Sequence, residues 1–267
     1  MFDLGTRFGR ILVLAAIAAG GVSTAQAGGL KDGVVDYSDE AKAWVLFSGF
    51  DVVRDAQYTY SGLIVALNRD IGKDGFVLRL YGGNVGYEYD NGGIRTDGDG
   101  WQFDAMLGYK VSRGHWWAAA YAGVDYQNHD LTPDDLDNPV RGSEVGVKVA
   151  FDSATLRTGT PVYASLSGNY STAFDSYWAR GRVGANLGHL TIGPEAIVIG
   201  NEAFDAHRLG GFATFDMRLS RTTSFEVTLS GGYQFLDESG SGFASGQSIG
   251  SGGGEGVYGG VSISSVF

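Results

Sequence analysis

The sequence predicts an all-β protein, specifically a transmembrane antiparallel up-and-down β-barrel of about twelve strands. Three observations predict this class. Apolar and polar side chains alternate along many segments, the N-terminus has the parts of a secretory signal peptide, and long connections alternate with short ones. The alternating segments run for roughly nine to fourteen residues, whereas tilted membrane-crossing strands need about 9–11 and soluble strands average about 5–6.

Composition narrows the function classes. The chain has 267 residues, of which 43% are hydrophobic, and this is too apolar for an intrinsically disordered protein. It contains no Cys, so disulfides and thiolate metal sites are excluded. The net charge of -11 argues against a nucleic-acid partner, which requires a basic surface. The 44 glycines are about twice the usual ~7% share, so the fold must accommodate many missing side chains.

The N-terminus has the pattern of an export signal. Arg7 and Arg10 precede the apolar run 11–19, and Ala25-Gln26-Ala27 is a small-x-small cleavage site. The apolar run is shorter than the ~20 residues of a spanning helix. We therefore expect a signal peptide over 1–27 with cleavage after Ala27, a periplasmic segment over 28–43, a barrel over 44–267, and location in the outer membrane of a Gram-negative bacterium.

Period-two alternation is clearest over residues 101–112. Trp101 and Phe103 point to one face, while Gln102 and Asp104 point to the other. The other clear segments are 143–152, 177–187, 208–219 and 225–236. Weaker segments are 44–52, 58–68, 76–89, 116–128, 162–171, 190–200 and 256–267. Together they make twelve strands, and the even number is typical of bacterial single-chain barrels.

The connections form two sets that differ in length and charge. With a periplasmic N-terminus, the extracellular loops are 53–57, 90–100, 129–141, 172–176, 201–206 and 237–255. The periplasmic turns are 68–75, 112–115, 153–160, 188–189 and 220–224. The three longest connections fall in the first set, as in outer-membrane barrels. Acidic residues outnumber basic ones in the loops, and the reverse holds in the turns.

The polar face of the strands is expected to line the lumen, where acids and bases nearly balance. Two interpretations remain open: salt bridges that close the barrel, or a hydrophilic pore in which charges and Trp178 contact a polar solute. The candidate lumen and substrate-contact residues are Arg79, Asp104, Lys110, Glu144, Lys148, Trp178, Arg180, Arg182, Glu195, Arg208, Asp216, Arg218 and Glu226.

Signatures of catalysis are weak. None of the four His has Ser two residues later, no Gly-x-Ser-x-Gly elbow lies between a strand and a helix, and no His-Glu-x-x-His occurs. The acidic stretches 97–100 and 134–137 match no Ca²⁺ loop and are interpreted as solvated loops. The prediction is a non-enzymatic protein with no catalytic residues, no metal and no cofactor.

Several longer stretches are similar to one family. They are Phe-Ser-Gly-Phe-Asp at 47–51, Gly-Phe-Val-Leu-Arg-Leu-Tyr at 75–81, and the segments 97–102, 123–130, 141–146, 170–178 and 200–212. These resemble the alphaproteobacterial cellulose biosynthesis protein BcsS family, from about Trp44 to Phe267. The resemblance implies a role in cellulose synthesis at the outer membrane, and it supplies no catalytic residues.

The leading hypothesis is an outer-membrane barrel that passes or tethers the glucan chain or its machinery. Its expected partners are outer-membrane lipid, β-1,4-glucan and other cellulose-synthase components. Two alternatives stay open at this point: a general small-solute porin, and an envelope enzyme that modifies lipid or glycan. The sequence leaves open whether the lumen is plugged.

Overall fold

The structure is a computed structural model that describes residues 41–156, 160–218, 224–236 and 253–267. The expected signal peptide (1–27), residues 28–40 of the expected periplasmic segment, most of the loop 237–255, most of the turn 220–224, part of the turn 153–160 and the side chain of Arg218 lie outside the described residues.

The described chain folds into twelve strands. They are β1 (Trp44–Val53), β2 (Ala56–Ala66), β3 (Gly75–Asn91), β4 (Ile94–Arg113), β5 (Trp116–Thr132), β6 (Gly142–Thr155), β7 (Val162–Ser171), β8 (Tyr177–Asn186), β9 (Leu190–Asn201), β10 (Phe204–Arg218), β11 (Ser224–Leu236) and β12 (Gly256–Val266). A short 3-10 turn, Ala173–Asp175, joins β7 to β8. No helix among these residues has the length and hydropathy of a membrane span.

The strands form one closed barrel in which each strand pairs antiparallel with its neighbours in sequence. β1 pairs with β12 from Val45 opposite Val266 to Val52 opposite Gly259, which closes the sheet. Closure gives hydrogen-bond partners to the backbone N–H and C=O groups of the two edge strands. A closed barrel can therefore lie in the hydrocarbon core of a membrane. The predicted twelve-stranded up-and-down barrel is confirmed.

The alternation sorts apolar side chains to the outer surface. On β4, Phe103 and Leu107 are 54% and 52% exposed, while Asp104 and Lys110 face inward and are buried. The same outward belt of Val, Leu, Ile and aromatic side chains continues around the barrel. This arrangement is that of a transmembrane barrel, whose apolar face contacts lipid.

The predicted loop 90–100 is mostly strand, and the first four residues of the predicted loop 129–141 are strand. β3 and β4 continue through most of 90–100 and meet in a tight hairpin at Gly92 and Gly93, both with positive φ. β5 likewise extends to Thr132. The extension is stabilised because Tyr87 and Tyr89 are buried inside it, and the acidic and glycine-rich sequence concealed this packing.

The two ends of the barrel differ. The loop end carries this β3–β4 extension, the loop 133–141 and the 3-10 turn; Tyr89 donates a hydrogen bond to Asp135 there (2.9 Å). The turn end, opposite, carries both chain ends of the barrel, where the Trp44 N–H donates to the Phe267 carbonyl (3.0 Å).

An apolar core lines most of the interior of the turn-end half, while β9, β10 and β11 contribute the buried polar side chains of Thr191, Thr214 and Thr228 there. Its centre includes Met106, Trp117 and Tyr121, which are almost fully buried. The β2–β3 turn (67–74) places Ile71 in this core, and the Ile71 carbonyl accepts a hydrogen bond from Lys110 Nζ (2.8 Å). The inward face is therefore largely apolar over the turn-end part of β1–β7, whereas a polar face throughout was expected.

Candidate functional site

The loop-end half of the interior contains a cavity of about 220 Å³. Its floor lies on the apolar core, where Phe47, Ile64 and Arg79 border both regions. Its upper rim is formed by residues near the strand ends, including Val53 and Phe204. The cavity thus occupies the half of the barrel nearest the loops and is underlain by packed side chains.

One wall of the cavity is aromatic. Tyr58 and Tyr60 are two residues apart on β2, so both point inward, and Tyr81 lies beside them on β3. The Tyr58 and Tyr60 ring centroids are 5.7 Å apart, and those of Tyr60 and Tyr81 are 6.0 Å apart, with both pairs close to parallel. Tyr58 and Tyr81 also share a hydrogen bond between their hydroxyls (2.5 Å).

Glycines opposite the tyrosines make this wall possible. Gly49 is paired with Tyr60 across β1 and β2, and a Cβ at Gly49 would lie 2.5 Å from the Tyr60 ring. A Cβ at Gly83 would overlap the Tyr58 hydroxyl. Because the missing side chains leave room, the rings lie over the neighbouring strands. Part of the high glycine content is therefore a packing requirement.

A buried ion cluster lies beside the aromatic wall. Lys148 Nζ lies 2.8 Å from an Asp104 carboxylate oxygen and 3.5 Å from an Asp125 oxygen, and all three side chains are almost fully buried. Gln127 Nε2 donates to Asp125 (2.8 Å) and to Ser176 Oγ (2.7 Å). The cluster joins β4, β5, β6 and the start of β8, and it is largely satisfied internally.

A second charged group lies on β8, β9 and β10. Glu195 accepts a hydrogen bond from Arg182, lies 3.9 Å from Arg180 Nε, and also accepts from the Tyr258 hydroxyl (3.2 Å). Arg208 Nε donates to the side-chain oxygen of Gln234 (2.7 Å). The Arg180 guanidinium lies 4.8 Å from the Trp178 ring centroid, so Trp178 is held over a cation at the cavity wall.

The structure places the sequence-predicted residues with described side chains on the inward face. Those that line the cavity are Arg79, Lys148, Trp178, Arg180 and Arg208.

The other predicted residues lie away from the cavity. Asp104 pairs with Lys148, Arg182 pairs with Glu195, Lys110 donates to Ile71 at the turn end, and Glu144 accepts from the Phe174 N–H (2.9 Å). Glu226 accepts from Ser264 (3.1 Å), and Asp216 is buried on β10.

Sequence reasoning missed the aromatic wall and its polar neighbours. Tyr58, Tyr60 and Tyr81 were within predicted strands but were not assigned to the lumen, and Asp51 and Gln127 were also omitted. The two-residue spacing of Tyr58 and Tyr60 was the available signal. Their meeting with Tyr81 depends on strand register, which no local pattern contains.

The arrangement suits binding of a neutral polar molecule. Aromatic rings offer flat apolar faces, and side-chain amides offer both donors and acceptors. No group of three or more potential metal ligands occurs among the described residues. Fold and site together define a transmembrane β-barrel with a loop-end cavity above a packed core.

The comparisons with known proteins identify the family. The chain belongs to the cellulose biosynthesis protein BcsS family, whose profile matches residues 45–267, and the resemblance seen in the sequence is confirmed. One similar solved structure is the crystal structure of the beta domain of the Bordetella autotransporter Brka. It is 11% identical, covers 85% of this chain and 99% of its own, and superposes with a TM-score of 0.41. No curated protein matches the chain.

Proposed function

We propose that this protein is a non-enzymatic outer-membrane barrel that tethers the glucan chain or its synthetic machinery to the envelope, and is not a conduit. The observation that carries the proposal is the apolar core across the turn-end half. The family links the chain to cellulose biosynthesis, and the outward apolar belt supports insertion in a membrane.

The orientation follows from the two ends. Bacterial outer-membrane barrels keep short turns on the periplasmic side and long loops outside. The turn end, with Trp44 and Phe267 side by side, then faces the periplasm, and the loop end faces the cell exterior. In this orientation the cavity is reached from outside the cell, where secreted cellulose is found.

The packed core argues against the porin alternative and against passage of a glucan. Trp117 and Met106 are each 1% exposed, and Ile71 from the β2–β3 turn fills the same region. A porin requires a water-filled lumen, and a glucan chain requires a continuous path of at least one sugar width. The buried side chains of this core therefore favour a closed lumen over an open path.

The surroundings of His129 argue against the enzyme alternative. Its imidazole stacks edge-on against Phe174, with ring centroids 5.4 Å apart, and its Nδ1 lies 3.3 Å from the Tyr87 hydroxyl. A hydrolase His normally contacts a nucleophile and an orienting acid. Aromatic neighbours of this kind support a packing role for His129.

Deletion of the gene in a cellulose-producing host tests the proposal. Extracellular cellulose, measured by Calcofluor or Congo red staining, should fall or be mislocalised, while synthase activity in isolated inner membranes stays normal. Plasmid-borne wild-type protein is the control and should restore staining. The purified barrel should also give no steady conductance in planar bilayers. Normal surface cellulose in the deletion strain, or a stable open conductance, would contradict the proposal.

A further inference from the structure

The loop-end cavity has two aromatic walls that face each other. In the closed order of twelve strands, β2 and β8 are six strands apart, so they lie on opposite sides of the barrel. Tyr58 and Tyr60 come from β2, and Trp178 comes from β8, and all three line the cavity. A flat ligand with two weakly polar faces can pack between such walls.

Polar side chains supply the edges of the same cavity. Gln102 and Asn169 present amides, each with an acceptor oxygen and two N–H donors, and Asp51 presents a carboxylate. The cations of the cavity wall have anionic neighbours: Lys148 lies between Asp104 and Asp125, and Arg180 lies close to Glu195. The carboxylates of Asp152 and Asp51 interact with Arg79 and Arg208. The site therefore favours a ligand rich in hydroxyls over one with a net charge.

Size and closure restrict the ligand further. The cavity volume of about 220 Å³ is below the ~300 Å³ lower bound of drug-sized sites, so it holds about one or two sugar units. The apolar core lies beneath it, with Phe47 and Ile64 at the boundary. A polymer therefore enters the cavity from the loop end with its terminal sugar units first. The remaining sugar units of the chain stay outside the cavity.

We propose that this cavity binds the terminal sugar units of a β-1,4-linked glucan chain. The inference rests on the proposed function for the identity of the glucan, while the ring-shaped, hydroxyl-rich ligand class comes from the cavity itself. The pyranose faces pack between the β2 tyrosines and Trp178, and the hydroxyls exchange hydrogen bonds with the amides and Asp51. The barrel thereby holds a chain end at the outer surface without transporting it.

Calorimetric titration of the purified full-length barrel in detergent tests the inference. The probes are cellobiose, cellotriose and cellohexaose, with maltotriose as the α-linked comparison. We expect saturable binding of the β-linked sugars, with affinity that stops rising by cellotriose because only terminal units enter. Maltotriose should bind at least about tenfold more weakly, since its bend mismatches a straight path between the two facing walls.

Two variants and one control locate the binding. Trp178→Ala should weaken cellotriose binding by about thirtyfold, as for a central aromatic contact. Asn169→Ala, on a half-buried residue two positions from the loop end of β7, should weaken it by about threefold to tenfold through the loss of hydrogen bonds. Trp44→Ala removes an exposed Trp at the turn end, outside the cavity, and should leave affinity unchanged. Heat-modifiable gel mobility verifies that each variant is folded.

The outcomes separate this inference from the proposed function. If folded wild-type protein shows no saturable binding, or if Trp178→Ala and Asn169→Ala both bind normally, the inference is wrong, even when the deletion strain lacks surface cellulose. Equal affinity for maltotriose and cellotriose would also overturn it. Conversely, if the barrel binds cellotriose specifically but the deletion strain makes normal surface cellulose, the binding site is supported and the tethering role is wrong.

Discussion

The two halves of the barrel interior are built on the same strands yet have opposite chemistry. On β5 the inward residues of the turn-end half are Trp117, Ala119 and Tyr121, all in the apolar core. Further along the same strand, the inward residues are Asp125 and Gln127, which join the buried ion cluster. One half is packed to exclude solutes, and the other is built around a cavity. The outward faces of both halves are apolar, so insertion into a membrane does not require the two interiors to differ.

The comparison shows that a barrel can divide its length between stability and recognition. Packed apolar side chains lower the free energy of the folded state through burial and dispersion contacts. The loop-end half has a cavity instead, and buried ion pairs give less stabilisation because charges are costly to desolvate. Substitutions in the two halves should therefore affect different measurements.

The largest stability loss is expected from the loop-end ion cluster. Lys148→Met removes the cation that lies between Asp104 and Asp125 and leaves two buried carboxylates unpaired. The free energy of unfolding should fall by about 3–5 kcal/mol, measured by urea unfolding in detergent. Lys73→Met, at an exposed lysine in the β2–β3 turn, is the matched control and should change it little. Equal stability of the two variants would show that the cluster is dispensable.

A somewhat smaller loss is expected from the turn-end plug. Ile71→Ala removes a side chain that is only 2% exposed and should lower the free energy of unfolding by about 2–5 kcal/mol. It should also raise transient conductance in planar bilayers, because the core loses one of its filling side chains. Leu67→Ala, at an exposed position in the same turn, serves as the control. An unchanged stability would mean that the turn does not belong to the core.

A substitution that fills the space between Gly49 and the Tyr60 ring should cause an intermediate loss of stability. Gly49→Ala places a methyl group 2.5 Å from the Tyr60 ring, so overpacking should cost about 1–3 kcal/mol of unfolding free energy. The displaced ring should also narrow the cavity. Gly181→Ala is the control, because its nearest neighbour, Leu166, would be 3.9 Å away. If both variants match the wild type, the aromatic wall can rearrange freely.

The smallest expected effect is a pH dependence at the turn end. The Ser112 N–H and the Arg113 guanidinium donate to Asp74 and hold the pKa of this carboxyl below its ordinary value of 3.8. Since the folded-state pKa is lowered, the stabilisation is present above pH 3.8 and is lost as the pH falls through the folded value. Asp74→Asn should therefore flatten the acid limb of the stability curve, measured by urea unfolding between pH 2 and 5. An identical acid limb in the variant would refute this assignment.

The local pattern predicted the wall of the barrel better than its interior. Residues 101–112 alternate so regularly that the faces of β4 were assigned correctly, because a half-buried strand imposes period two. Over 90–100 the prediction was wrong, since Gly98 and the acidic residues Asp97 and Asp99 suggested a loop. The burial of Tyr87 against the extension, a tertiary contact, determined the strand.

The interior could not be predicted because its contacts depend on register. Lys148 and Asp104 are 44 residues apart, and the partners became visible only when β4, β5 and β6 were aligned. The division of the lumen into two halves has the same origin. The period-two pattern identifies inward residues equally in both halves. Whether such a residue belongs to the core or to the cavity depends on its position along the barrel axis.

The turn-end plug has a consequence for the cell that carries this barrel. Each open pore adds to the leakiness of the outer membrane, which limits how many copies a bacterium can tolerate. Under the proposed function, the core around Trp117, Met106 and Ile71 closes the lumen and the barrel adds no such leak. A high copy number would then be compatible with an intact permeability barrier, and the density of the proposed attachment points could be set independently of antibiotic or detergent sensitivity.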